Sequence, residues 1–149
     1  MAAAGCNDWN HKTFWYEPWG SPGVHKGIDV FAPSGKPVIA AIGGFKLYSG
    51  EFSKGGKVVL TLGPGLRLHY YSHLNQISKD IGVWLNQGEV IGTVGQTGNA
   101  AGKPPHLHYS VVTLLPYPWR ITGETQGWKK MFYLDPADAF SRCKKMQGR

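Results

Sequence analysis

Short apolar runs, each closed by glycine, proline or a polar turn, recur along the chain from residue 28 onward. They are Ile28–Phe31, Pro37–Ile42, Phe45–Ser49, Lys57–Leu62, Leu66–His73, Glu89–Val94 and Leu107–Thr113. Runs this short with turn residues between them predict strands, not helices. Gly63-Pro64-Gly65 separates two of them and predicts a hairpin turn. One helical signal stands near the end: Asp135 can cap, Pro136 suits the first helical position, and Ala137–Arg142 continues. Leu114–Lys130 holds Pro116, Pro118, Trp119 and Gly123 and predicts a long ordered loop. Residues 1–24 are rich in Trp, Tyr, Gly and Pro without a period, and predict an irregular N-terminal arm. The pattern describes an all-β domain, an antiparallel sheet or sandwich built from hairpins.

Alternation along these runs also sorts the polar chemistry. In a strand, His106 and His108 face one side and Leu107 turns into the core. Pro104-Pro105 fixes an extended approach to them. His25 and Asp29 lie four apart, but Pro22-Gly23 and Gly27 argue for a loop running into a strand over a helix face. Within Leu68–Leu74, alternation puts His69, Tyr71 and His73 on one face and Leu68, Tyr70 and Ser72 on the other. Imidazole and carboxylate donors suit Zn²⁺, and three protein ligands leave a fourth position for water. The pool His25, Asp29, His106 and His108 holds one imidazole more than such a site needs. Spacing does not say which one is spare, and alternation does not choose between His69 and His73. No HExxH, HxxEH or CxxC motif is present, and no Glu adjoins a His, so any general base is a histidine or a metal-bound hydroxide.

Composition narrows the classes. A chain of 149 residues is the size of one domain and can bury a core without staples. The 21 glycines and 10 prolines form no repeat, as expected for many turns. Net charge is +7, yet the lysines are scattered and form no basic helix, which argues against nucleic acid as partner. The same charge suits approach to an anionic polymer such as a bacterial cell wall. No run is long and apolar enough for a transmembrane helix. The first residues lack the charged and apolar regions of an intact signal peptide. Cys6 and Cys143 lie near opposite ends, where a disulfide and two free thiols are equally consistent.

A set of phrases then stands out in order. His25-Lys-Gly-Ile-Asp29 is followed by Gly35-Lys-Pro-Val-Ile-Ala-Ala41 and Tyr70-Tyr-Ser-His73-Leu74. Gly88-Glu-Val-Ile-Gly-Thr-Val-Gly95 comes next, then Thr97-Gly-Asn-Ala-Ala-Gly-Lys-Pro-Pro-His106-Leu-His108-Tyr109, and Leu134-Asp135-Pro136 closes the series. From about His25 to Phe140 the chain resembles the lysostaphin/LytM-type zinc metalloendopeptidases, the M23 peptidase family.

The resemblance implies a single peptidase domain over residues 25–149 behind the arm of residues 1–24, with long loops walling a groove. It implies one Zn²⁺ held by His25, Asp29 and His108. His106 and His73 are then the catalytic pair, which frees the first histidine of the His-Leu-His phrase from ligation. The implied activity is hydrolysis of peptide bonds in peptidoglycan stem peptides or cross-bridges, outside the cytoplasm, by a monomer. Several family members carry a tyrosine six residues before the first ligand histidine; this chain has Trp19 there, with Tyr16 nearby. The competing class is a wall-binding or hydrolase-activating domain of the same fold without catalysis. Retention of all three ligands and both histidines favours the enzyme. Gly88–Gly95 also resembles a turn of biotinyl carrier domains, but no Met-Lys attachment hairpin accompanies it.

Overall fold

The computed structural model describes residues 26–124 and 126–136. Nine strands form within them: β1 Ile28–Phe31, β2 Pro37–Ile39, β3 Gly44–Phe52, β4 Gly56–Gly63, β5 Arg67–Ile77, β6 Trp84–Leu85, β7 Val90–Val94, β8 His106–Thr113 and β9 Tyr133–Leu134. All pair antiparallel, in the order β1-β8-β5-β4-β3-β6, with β9 on β8 and a β2–β7 pair joined to β5. The all-β expectation therefore holds among the described residues. The arm of residues 1–24, His25, both cysteines and the helix read over Ala137–Arg142 lie outside them.

Seven expected strands are present, Ile28–Phe31 with the expected ends and the other six with shifted ones. The β2 strand stops at Ile39, and β5 runs on to Ile77. The hairpin expected at Gly63-Pro64-Gly65 joins β4 to β5, with Gly65 and Leu66 both at positive φ (72° and 54°). β6 and β9, two residues each, carry no period that a sequence pattern can show. The loop Leu114–Lys130 contains two short 3₁₀ turns, at Pro118–Arg120 and within Gly127–Met131. Its ends are tied down by Leu114 N–H to the Leu66 carbonyl (2.9 Å) and Tyr117 N–H to the Met131 carbonyl (2.8 Å).

The core gathers the inward positions of seven strands, with Val59 of β4 and Leu85 of β6 among them. Ile28 and Val30 of β1, Val38 of β2, Tyr71 and Leu74 of β5, Ile91 and Val94 of β7, and Leu107, Tyr109 and Val111 of β8 form one buried cluster. The β2–β7 pair thus folds against the central strands, held there because β5 is long enough to pair with β4 and β8 first and β7 at its end. At roughly 1.5–3 kcal/mol for each large apolar side chain buried, this cluster is the main stabilising term. It fixes the outward face of β1 and β8, where the polar residues of interest stand.

Candidate active site

Asp29 on β1 lies directly opposite His108 on β8, and Phe31 opposite His106. Directly paired residues share a face, so alternation along the two strands puts Asp29, His106 and His108 together while Leu107 and Tyr109 enter the core. Asp29 is buried, with Oδ1 3.0 Å from His108 Nδ1 and 4.0 Å from His106 Nε2. A Cβ at position 27 would lie 2.9 Å from His108 Cε1 and 2.5 Å from the Tyr109 carbonyl oxygen. Glycine at 27 therefore makes room for the His108 ring, a reason for this residue that the sequence did not reveal.

His73 arrives by a different route. The expectation that it shares a face with His69 and Tyr71 is overturned. His69 and Tyr71 turn to the core side, against Tyr109. His73 turns the other way, its ring centroid 5.0 Å from that of His106 and 6.0 Å from that of His108. The cause is a β-bulge. Tyr71 pairs with Val59 and Leu74 with Lys57, so Ser72 and His73 together oppose the single residue Val58. His73 takes φ 63°, in the left-handed region that non-glycine residues seldom adopt. Such strain costs on the order of 1–3 kcal/mol and recurs at functional sites. Backbone geometry that alternation cannot express thus brings His73, and not His69, beside His106 and His108.

Both free imidazoles are pinned from behind. His73 Nδ1 lies 2.9 Å from the Thr97 carbonyl oxygen, and His106 Nδ1 lies 2.8 Å from that of Pro104. A carbonyl only accepts, so each Nδ1 carries a proton in its bond. Burial lowers the His73 pKa from 6.5 to about 4; the bond to Thr97 opposes this, and the neighbouring His108 and His106 add to it. In this environment His73 is neutral near pH 7. Pro104 earns its place through its carbonyl as much as through its extended backbone.

The donor set suits zinc. A four-coordinate zinc with ligand bonds of about 2.0–2.1 Å sets neighbouring donors roughly 3.3 Å apart. The Asp29 Oδ1–His108 Nδ1 separation of 3.0 Å is close to that edge, and the same separation serves as a hydrogen bond when Nδ1 is protonated. No cluster of three metal-binding side chains occurs among the described residues, and His25 lies outside them. Tyr16 and Trp19 lie outside as well. The structure brings together Asp29, His73, His106 and His108 of the five residues singled out from the sequence.

Comparison with known proteins bears on the family and the fold. The sequence profile of Peptidase family M23 matches residues 23–116. An L-Ala–D-Glu endopeptidase of Bacillus subtilis is 35% identical over 113 residues, which is 70% of this chain but only 35% of that protein's length. The fold superimposes on the catalytic domain of lysostaphin from Staphylococcus simulans with a TM-score of 0.65 at 24% identity, covering 86% of this chain and 90% of that one. A zinc-containing peptidase from Vibrio cholerae superimposes with a TM-score of 0.55 at 24% identity, over 74% of this chain and 32% of that one. With more than half of its length matched by the profile and the fold shared, the chain belongs to peptidase family M23.

Proposed function

We propose that the chain is a zinc-dependent endopeptidase that hydrolyses peptide bonds in the stem peptides or cross-bridges of bacterial peptidoglycan. The observation that carries this reading is the convergence of His73 and His106, each with Nδ1 anchored and Nε2 free, beside the Asp29–His108 pair. His25, Asp29 and His108 hold the metal. Bound there, zinc supplies a Lewis acid and brings the pKa of its water down toward about 7.

The chain's own groups do the rest. His73 reaches the reaction as a neutral imidazole, with His106 beside it. One accepts a proton at Nε2 as the nucleophile adds to the carbonyl carbon. The imidazolium so formed donates from Nε2 to the developing charge and then passes its proton to the leaving amine. Their backbone anchors keep both rings oriented, so little reorganisation is needed at the transition state. The Leu114–Lys130 loop, with exposed Trp119 against Tyr117, is a candidate groove wall. The net charge of +7 favours approach to an anionic wall, and a wall substrate is in keeping with work outside the cytoplasm.

The test combines metal analysis with hydrolysis of purified peptidoglycan. About one zinc per chain is expected, and chelation should abolish peptide release. His73→Ala and His106→Ala should lose hydrolysis and keep zinc. Loss of zinc in His106→Ala would overturn the division between ligands and catalytic pair. Mass analysis of the released peptides identifies the bond.

A further inference from the structure

Thr97 makes three hydrogen bonds around His73 through two of its atoms. Its hydroxyl donates to the Leu74 carbonyl (2.7 Å) and accepts from the Lys57 backbone N–H (3.0 Å). Leu74 follows His73 on β5, and Lys57 lies opposite Leu74 on β4. Its carbonyl accepts the His73 Nδ1 proton. The Thr97 side chain thus fastens its loop to both strands of the bulge, while its main chain holds the ring that the bulge turns outward.

Neighbouring backbone leaves this loop no room to be elsewhere. Asn99 N–H bonds to the Lys54 carbonyl (2.9 Å), and His73 N–H bonds to the Gly55 carbonyl (2.8 Å). Gly56 and Gly98 both sit at positive φ (64° and 66°). A Cβ on Gly56 would overlap Thr97 Oγ1, and one on Gly98 would overlap the backbone of Lys54 and Gly56. The β3–β4 turn and the Thr97 loop therefore meet backbone to backbone, with His73 bonded to both.

We infer that Thr97 is a positioning residue for His73, selecting its Nδ1–H tautomer and aiming Nε2 toward the reaction. The inference rests on the proposed function for its kinetic consequence, but its structural content stands independently. A branched side chain has few χ1 choices, so the hydroxyl bonds also fix the loop's main chain and hence the carbonyl. Removing the hydroxyl with shape retained frees that carbonyl. His73 then loses the acceptor that distinguishes its two nitrogens, and the ring turns or exchanges tautomers.

The experiment uses the zinc-loaded protein, Thr97→Val and Thr97→Ser. Imidazole ¹⁵N spectra at pH 7 report which His73 nitrogen carries the proton. Wild type and Thr97→Ser should show protonated Nδ1 alone, and Thr97→Val a mixture of tautomers. On peptidoglycan, Thr97→Val should lose kcat on the order of ten- to a hundredfold with KM and zinc content unchanged, and Thr97→Ser should recover it. A wild-type spectrum with His73 protonated at Nε2 overturns the inference without any variant, so it stays testable even where Thr97→Val does not fold. So does a Thr97→Val protein that keeps the single tautomer and full kcat. If the wild type hydrolyses no wall peptide, the proposed function fails while the spectra still decide the role of Thr97.

Discussion

His69 lies on the core side of β5, 5% exposed, and gives a pH dependence of stability that can be worked out in advance. Its Nδ1 is 2.6 Å from the Tyr109 hydroxyl, and its Nε2 is buried with no hydrogen-bond partner among the described residues. Burial, and secondarily the Arg67 charge, lowers its pKa from 6.5 to about 4. The folded state therefore resists a proton that the unfolded chain accepts. Stability from this group is complete above pH 6.5 and is lost as the pH falls through 6.5 toward about 4. The full loss is about 3 kcal/mol, and about 2 kcal/mol of it has gone by pH 5. His69→Gln removes the titration and keeps an amide to meet Tyr109. Urea unfolding of both proteins at pH 7 and pH 5, with chelator present throughout, isolates the term. The stability of wild type relative to His69→Gln should fall by about 2 kcal/mol between the two pH values. A difference that stays constant between pH 7 and pH 5 would refute the reasoning, since it would mean His69 titrates alike in both states.

Gly27→Ala should displace the His108 ring and weaken zinc binding by on the order of 10- to 100-fold, read by chelator competition. His73→Gly and His73→Ala should both abolish hydrolysis, but the glycine variant should be the more stable by about 1 kcal/mol because it relieves the left-handed backbone. Urea midpoints compare the two directly. Tyr71→Phe removes the hydroxyl that accepts the Ala41 N–H (3.0 Å) in the core, and thermal or urea unfolding should show a loss of about 1–3 kcal/mol.

Much of this architecture was legible because burial enforces alternation. His106-Leu107-His108 reads correctly from its period alone, since Leu107 must go inward and its neighbours cannot. The β1–β8 register then brings Asp29 to His108, but sequence separation hides that pairing. The family phrases carried it instead. His73 was out of reach of periodicity because a bulge and a positive φ leave no compositional mark in Tyr-Ser-His-Leu. Thr97 and Gly27 stood inside recognised phrases, yet their roles are contacts made by a carbonyl and by missing bulk. The strand ends moved for a similar reason: β5 continues past His73 because β7 is there to pair with it, a long-range fact.

The bulge in β5 has a consequence for how the chemistry is built into the sheet. Before it, the core takes His69 and Tyr71; after it, the core takes Leu74. The strand changes phase by one residue, and His73 is the residue that changes it. With His73 deleted, Leu74 would follow Tyr71 at an interval of two, and the strand would read as an unbroken alternating segment paired in one register with β4. The imidazole is therefore an addition to a strand already sufficient for folding, not a core position converted to a new use. Such a deletion should leave a sheet that folds and a site one histidine short.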